Sequence, residues 1–257
     1  MDLILSHTNL DFDGLAAMVA ASKIYPQAQP VVVGKPGHSV QQFLALYKDY
    51  FSIKTPGEIP DTGADRVILV DTGDPRRTGE MASRVSGARE IHIYDHHPVD
   101  YPPPRATKVV TASVGATSTL MVEILRQKDV EIHSFEATVL ALGIYADTGS
   151  LTYSATTSRD ALAVAYLLEQ GANLSVVANF LDRRLTEEQQ KLLNRLIASV
   201  KQFSFRGIQV LVATAEADNY VEGLSLLTEK LLEVLNADTV FTLVSMAGRT
   251  YLVGRTR

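Results

Sequence analysis

The chain contains no cysteine. Disulfides, zinc–thiolate sites and a cysteine nucleophile are therefore excluded, and any metal must be held by histidine and carboxylate. Such donors favour hard or borderline ions such as manganese, magnesium or zinc. No apolar run is long enough to span a membrane. The opening Asp2-Leu3-Ile4-Leu5-Ser6 lacks the basic start and long apolar core of a signal peptide. The expected setting is the cytoplasm, with no membrane partner. Positive charge is also in short supply. Lys and Arg number 24 against 29 Asp and Glu, a net charge of −5. That balance argues against broad electrostatic wrapping of nucleic acid, while leaving room for a local basic patch or for phosphate held through metal ions. No internal repeat or low-complexity segment occurs. The first strand is not followed by a Gly-x-Gly-x-x-Gly loop, which disfavours a Rossmann-like domain that binds a dinucleotide.

What is present is an ordinary globular composition, 46% hydrophobic over 257 residues, enough for one large domain or two smaller ones. Short apolar runs at Leu3-Ile4-Leu5, residues 30–34, 66–70, 90–94 and 108–110 alternate with helical patterns at 14–24 and 40–47. Strands spaced by helices predict a mostly parallel sheet flanked by helices, an α/β fold. From 113 onward the pattern turns helical, over 117–127, 134–146, 158–169, 174–181 and 187–201, with Thr186 and Gln189 forming a capping signal. Beyond 202 come a hairpin around Arg206-Gly207, a helix over 220–235, and two strands meeting at Ala247-Gly248. The expected division is a domain over 1–185, a connecting helix over 186–202 and a small α/β unit over 203–257. A unit that stops one strand after a hairpin, at Arg255-Thr256-Arg257, reads as part of a longer protein.

Four clusters carry chemistry, each at the end of an element, where open parallel sheets bind ligands. The first is His7, Asp11 and Asp13, directly after the first strand. Alternate residues of an extended segment share a side, so the two acids can face one point, where they repel unless a cation neutralises them. The plainer reading is that one of them caps the next helix. The second is Asp71, closing an all-apolar strand. The third is Asp95-His96-His97. On an extended chain the two rings point to opposite sides, so one would ligate metal while the other reaches a phosphate, with Asp95 orienting a ring. The fourth is Asp147 after an apolar helix, an unfavourable end of the helix dipole for an acid unless a metal offsets the cost. Turn chemistry alone accounts for Asp71 or Asp147 taken singly. Together the clusters fit two cations that activate a water and neutralise phosphoryl oxygens. His38, His92 and His133 read as structural, and Lys35, Arg76 and Arg77 as a solvated face.

His7-x-x-x-Asp11-x-Asp13, Asp71, Asp95-His96-His97 and Asp147 together resemble the four motifs of the DHH phosphoesterase superfamily, in order, over residues 1 to about 180. Residues 114–119 and 149–153 resemble the segments between them. The resemblance implies two divalent ions, manganese first and magnesium or cobalt as substitutes. His7 and Asp11 would hold one, Asp13, His96 and Asp147 the other, and Asp71 would bridge them. His97 would contact the scissile phosphate and Asp95 would support it. Asp71, Asp95 and His97 are thus the expected catalytic residues. The segment after 203 resembles the start of the DHH-associated C-terminal domain, without that domain's Gly-Gly-Gly-His motif, and Arg255 is a candidate substrate contact. Residues 3–28 resemble bacterial proteins in which a DHH unit precedes CBS domains and a tRNA nucleotidyltransferase (poly(A) polymerase) unit. The implied substrates are phosphate-containing small molecules, nucleotides, or short RNA or DNA. The implied partners are fused downstream domains and a second copy in a homodimer. The competing readings are a family II inorganic pyrophosphatase, whose Ser-Arg-Lys motif is absent here, and a regulatory module that binds nucleotide or RNA with little turnover.

Overall fold

The computed structural model describes residues 1–47, 50–97, 106–181, 185–205 and 208–256. The expected turn at Arg206-Gly207 and the terminal Arg257 lie outside them. The chain forms two compact units, Met1–Asp182 and Arg183–Arg257.

The first unit is built on a five-stranded sheet of β1 (Asp2–Leu5), β2 (Gln29–Val31), β3 (Arg66–Val70), β4 (Glu90–Asp95) and β5 (Ala106–Thr111). Its order is β2-β1-β3-β4-β5 and every pair is parallel. The central strands read as unbroken apolar runs because both faces are covered. Alternate residues serve two cores. Ile4, Ile68, Val70 and Tyr94 pack with α1 (Phe12–Ile24), α4 (Thr117–Gln127) and α5 (Ser134–Asp147). Leu3, Leu5, Val67, Leu69, Ile91 and Ile93 pack with Met81 and Val85, the latter on the short α3 (Ala82–Gly87). Each fully buried aliphatic side chain contributes roughly 1.5–3 kcal/mol.

Helix α1 is buried on every side from Phe12 to Ala21, as a helix without a polar face must be. Its small residues admit close neighbours: a Cβ on Gly143 of α5 would stand 2.7 Å from Ala16 Cβ. The parallel register has one decisive consequence. β1, β3 and β4 end at Leu5, Val70 and Asp95, so His7, Asp71 and His96 emerge at one edge of the sheet. α1 begins at that edge and α5 ends there.

Helices α2 (His38–Tyr47), α6 (Ser158–Glu169) and α7 (Leu174–Leu181) complete the unit. Most expected elements hold within a few residues. β2 stops at Val31 rather than running to 34, and α5 runs on to include Asp147. The 3-10 segment Pro75–Met81 and α3 carry no hydrophobic period in the sequence.

In the second unit, α8 (Glu187–Ser199) starts at a capping box between Thr186 and Gln189. Next come β6 (Lys201–Phe205), β7 (Ile208–Ala217), α9 (Leu224–Val234), β8 (Thr239–Met246) and β9 (Arg249–Thr256), in sheet order β6-β7-β8-β9. β7 and β8 are parallel, and the outer pairs antiparallel. Leu192, Leu193 and Leu196 of α8 join Leu227 and Leu231 of α9 over Val240 and Val244. The helix expected as a connector is thus part of this unit's core. Ala247 and Gly248 turn the β8–β9 hairpin at φ 50° and 73°, the left-handed pair that a two-residue hairpin demands. Among the described residues, no helix is long and apolar enough to cross a membrane.

Candidate metal centre

Asp71 is the pivot of the site. It sits at φ 58°, a left-handed conformation that Asp tolerates better than most residues. Its amide donates to the Tyr94 carbonyl at 2.9 Å. The turn aims its two carboxylate oxygens differently. Oδ2 lies 3.2 Å from His7 Nε2, while Oδ1 lies 3.8 Å from His96 Nε2 and 3.7 Å from His97 Nδ1. Oδ1 also accepts the Thr117 hydroxyl at 3.0 Å.

On one side of this pivot, His7 and Asp11 approach to 3.7 Å. Asp11 is the N-cap of α1, its Oδ1 accepting from Gly14 N at 3.0 Å, while Oδ2 is the oxygen turned to His7. The capping and ligand readings of this residue are therefore compatible. On the other side stand Asp13, His96 and Asp147. Asp13 is buried in the first turn of α1 and accepts two backbone amides at the start of α4, from Thr117 at 2.7 Å and Ser118 at 2.8 Å. His96 Nδ1 donates to the Val114 carbonyl at 3.1 Å, so in the neutral ring the lone pair lies on Nε2. That Nε2 is 3.2 Å from Asp147 Oδ2.

The expectation that His96 and His97 point apart is corrected. Their ring centroids are 4.1 Å apart, in an edge arrangement. The alternation rule holds for extended chain, but β4 ends at Asp95 and the backbone bends at the histidines. Asp95 causes part of that bend, because one of its oxygens accepts both His97 N at 3.0 Å and His97 Nδ1 at 2.8 Å.

These donors fit a pair of divalent cations. Three groups, His7/Asp11/Asp71, Asp13/His96/Asp147 and Asp71/His96/His97, each bring ligand atoms within 4.8 Å of one another. His7 Nδ1 and His96 Nε2 are buried without a hydrogen-bond partner, a costly state that the chemistry of a ligand nitrogen explains at Nε2. Protons compensate the crowded acids. Burial, then the Asp147 charge, pushes the Asp13 carboxyl up to about 7. Burial and the Asp13 charge also raise Asp71 well above the ordinary carboxylate range. Burial opposes charge on His96, but Asp147, Asp13 and the Val114 carbonyl outweigh it and push the ring up to about 9. Oxygen and imidazole donors without thiolate suit manganese, magnesium or zinc.

Sequence reasoning missed Thr117, Ser118 and Asp160. The last accepts from Gly115 N at 3.0 Å and Thr119 Oγ1 at 2.6 Å, and so fixes the loop that brings the α4 amides to Asp13. The readable signals were a Thr-Ser-Thr run opening a helix and the Thr157–Asp160 capping box. Arg255 lies on β9 of the second unit, exposed, donating to Ser225 Oγ at 2.6 Å.

Residues 3–144 match the family model described as "DHH family, N-terminal domain". The chain belongs to this family. As a DHH protein it is 38% identical to an A-adding tRNA nucleotidyltransferase of Geobacter sulfurreducens over 100% of this chain and 29% of that one. It thus spans about three tenths of that relative's length. It is also 28% identical to a "probable manganese-dependent inorganic pyrophosphatase" of Lactobacillus johnsonii, over 65% of this chain and 53% of the other. In fold it is similar to an exopolyphosphatase-related protein from Bacteroides fragilis, with a TM-score of 0.80 at 16% identity over 100% of this chain and 79% of that one.

Proposed function

We propose that this DHH chain is a two-metal phosphoesterase that hydrolyses phosphodiester or phosphomonoester bonds of short oligonucleotides or nucleotides, with manganese as its working ion. The observation that carries this reading is the position of Asp71, one oxygen turned to His7 and the other to His96. His7 and Asp11 would hold one cation, and Asp13, His96 and Asp147 the other, with Asp71 shared. Bound cations supply Lewis-acid chemistry, lowering the pKa of an attacking water and neutralising phosphoryl charge.

The protein's own groups orient the reaction. The α4 amides fix both oxygens of Asp13, and Thr117 Oγ1 fixes Asp71. Pre-set ligands of this kind need no rearrangement when charge develops. Asp95 holds His97 by Nδ1, so Nε2 of that half-exposed ring is offered to a phosphoryl or leaving oxygen. In the balanced step, the water oxygen bonds to phosphorus, the ester P–O bond breaks, and the leaving oxygen takes up a proton. Similarity to a tRNA nucleotidyltransferase over the whole chain favours nucleotide substrates and a place beside RNA-processing domains.

Similarity to the Lactobacillus johnsonii protein supports a second reading, hydrolysis of inorganic pyrophosphate. A manganese-dependent assay on pyrophosphate, adenosine bisphosphate, short RNA and cyclic dinucleotides separates the two. Turnover of the nucleotide substrates is expected. Turnover of pyrophosphate alone would transfer the assignment, and no turnover of any of them would remove it.

A further inference from the structure

We infer that Arg77 grips a phosphoryl oxygen of the substrate at the metal centre. The inference rests on the phosphoesterase reading and adds to it a residue outside the metal-ligand motifs.

The segment Pro75–Met81 is fastened to the loop that follows His7. Thr8 N donates to the Arg77 carbonyl at 2.9 Å. Two residues on, Gly79 adopts φ 56°, and a Cβ there would meet Thr8 Cγ2 at 2.7 Å. Arg77 is therefore anchored by its backbone beside the site while its side chain is exposed. The two neighbouring arginines have different fates. Arg76 is committed to Asp74, with Nε 3.0 Å from each carboxylate oxygen and Nη2 2.8 Å from Oδ2. Among the described residues, the Arg77 guanidinium has no hydrogen bond or ion pair.

Charge decides what such a group would do. Asp11, Asp13, Asp71 and Asp147 supply four carboxylates to the ligand groups, and two divalent cations would cancel them. Asp95 is engaged with His97. A phosphate therefore arrives at a centre already near neutrality, with its own negative charge still to be met. An uncommitted guanidinium, planar and able to donate to two oxygens at once, is the side chain suited to that task. A proposal of general surface charge would give Arg76 and Arg77 equal weight, whereas the Asp74 pairing separates them.

The test is a calorimetric titration of the manganese-loaded full chain with inorganic phosphate, for wild type, Arg77→Ala, Arg77→Lys and Arg76→Ala. The Thr8 contact uses only the Arg77 backbone, so the variants should fold, which a thermal melt checks. Arg77→Ala is expected to bind phosphate about tenfold or more weakly, Arg77→Lys at an intermediate level, and Arg76→Ala like wild type. Normal manganese binding with undiminished phosphate affinity in Arg77→Ala would overturn the role of Arg77 alone. An equal loss in Arg76→Ala would also overturn it, by reducing the effect to diffuse charge. Failure of the wild type to take up manganese would instead remove the two-metal reading, and this inference with it.

Discussion

Asp160 grips the Gly115 amide with both carboxylate oxygens, each at 3.0 Å. It also accepts from Thr119 Oγ1 at 2.6 Å and from Thr157 N and Oγ1 at 2.7 Å. The residue touches no candidate ligand, yet it fixes the start of α4, whose amides hold Asp13. Burial alone would raise this carboxyl, but the bonds from Thr119, Thr157 and Gly115 outweigh it and hold the group below its ordinary value.

A depressed carboxyl stabilises the fold above its unfolded pKa of about 3.9, and that stability is lost as pH falls through the lower folded value. Asp160→Asn should therefore cost about 1–3 kcal/mol at pH 7, the loss of a charged acceptor to buried donors. The difference from wild type should shrink in acid. Urea unfolding at pH 7 and pH 3 measures both. The same difference at both pH values would show that the charge of Asp160 is irrelevant.

Asp71→Asn should separate stability from function. Burial and neighbouring acids raise the Asp71 carboxyl, so ionising it works against the metal-free fold. Asparagine keeps the shape, tolerates φ 58° and removes the charge. The metal-free variant should melt a few degrees higher than wild type, at about 2–4 °C per kcal/mol. Its manganese-dependent turnover should fall at least about a hundredfold, the upper loss seen when mere supporting residues of metal sites are changed. An unchanged manganese-induced rise in melting temperature would count against Asp71 as the shared ligand.

Removing metal should leave a protein that weakens as pH rises. Asp13 is raised to about 7 and His96 to about 9. For each, the folded pKa lies above the unfolded one, so the stabilisation from bound protons is complete below the unfolded value and is lost as pH climbs through 7 and then 9. Chelator-treated protein should therefore melt lower at pH 9 than at pH 6, and manganese should raise the melting temperature more at pH 9. Protons should be released on binding, seen as a dependence of the titration heat on buffer. A manganese effect equal at both pH values would contradict this account of the site.

The clustering of the candidate ligands was legible because each ends a strand or begins or ends a helix, and parallel strands deliver such ends to one edge. The relation between His96 and His97 was not, because alternation fails once β4 stops at Asp95. The contact of Asp13 with Thr117 and Ser118 spans more than a hundred positions, and no local pattern announces it. Arg76 and Arg77 read as a solvated face and both are exposed, but the commitment of Arg76 alone to Asp74 is visible only in three dimensions. The boundaries of β2 and α9 shifted where propensity meets tertiary packing, which local pattern does not encode.

Gly143→Ala tests how closely that long-range contact depends on helix packing. In an exposed helix the change would stabilise by about 1 kcal/mol through propensity. Here the new Cβ would stand 2.5 Å from Ser118 Oγ, 2.7 Å from Ala16 Cβ and 3.1 Å from the Phe12 carbonyl. The hydroxyl could rotate away, but Ala16 and the Phe12 backbone belong to a helix buried on all sides. Overpacking of this kind costs about 1–3 kcal/mol, so it should exceed the propensity gain and lower the urea midpoint. Relief would come from moving α5 away from α1 and α4. Asp147 rides on α5, Asp13 on α1 and the Ser118 amide on α4, so manganese affinity should fall together with stability. A stabilised variant with unchanged manganese affinity would mean that the three helices have slack, and that the ligand geometry does not depend on their close approach.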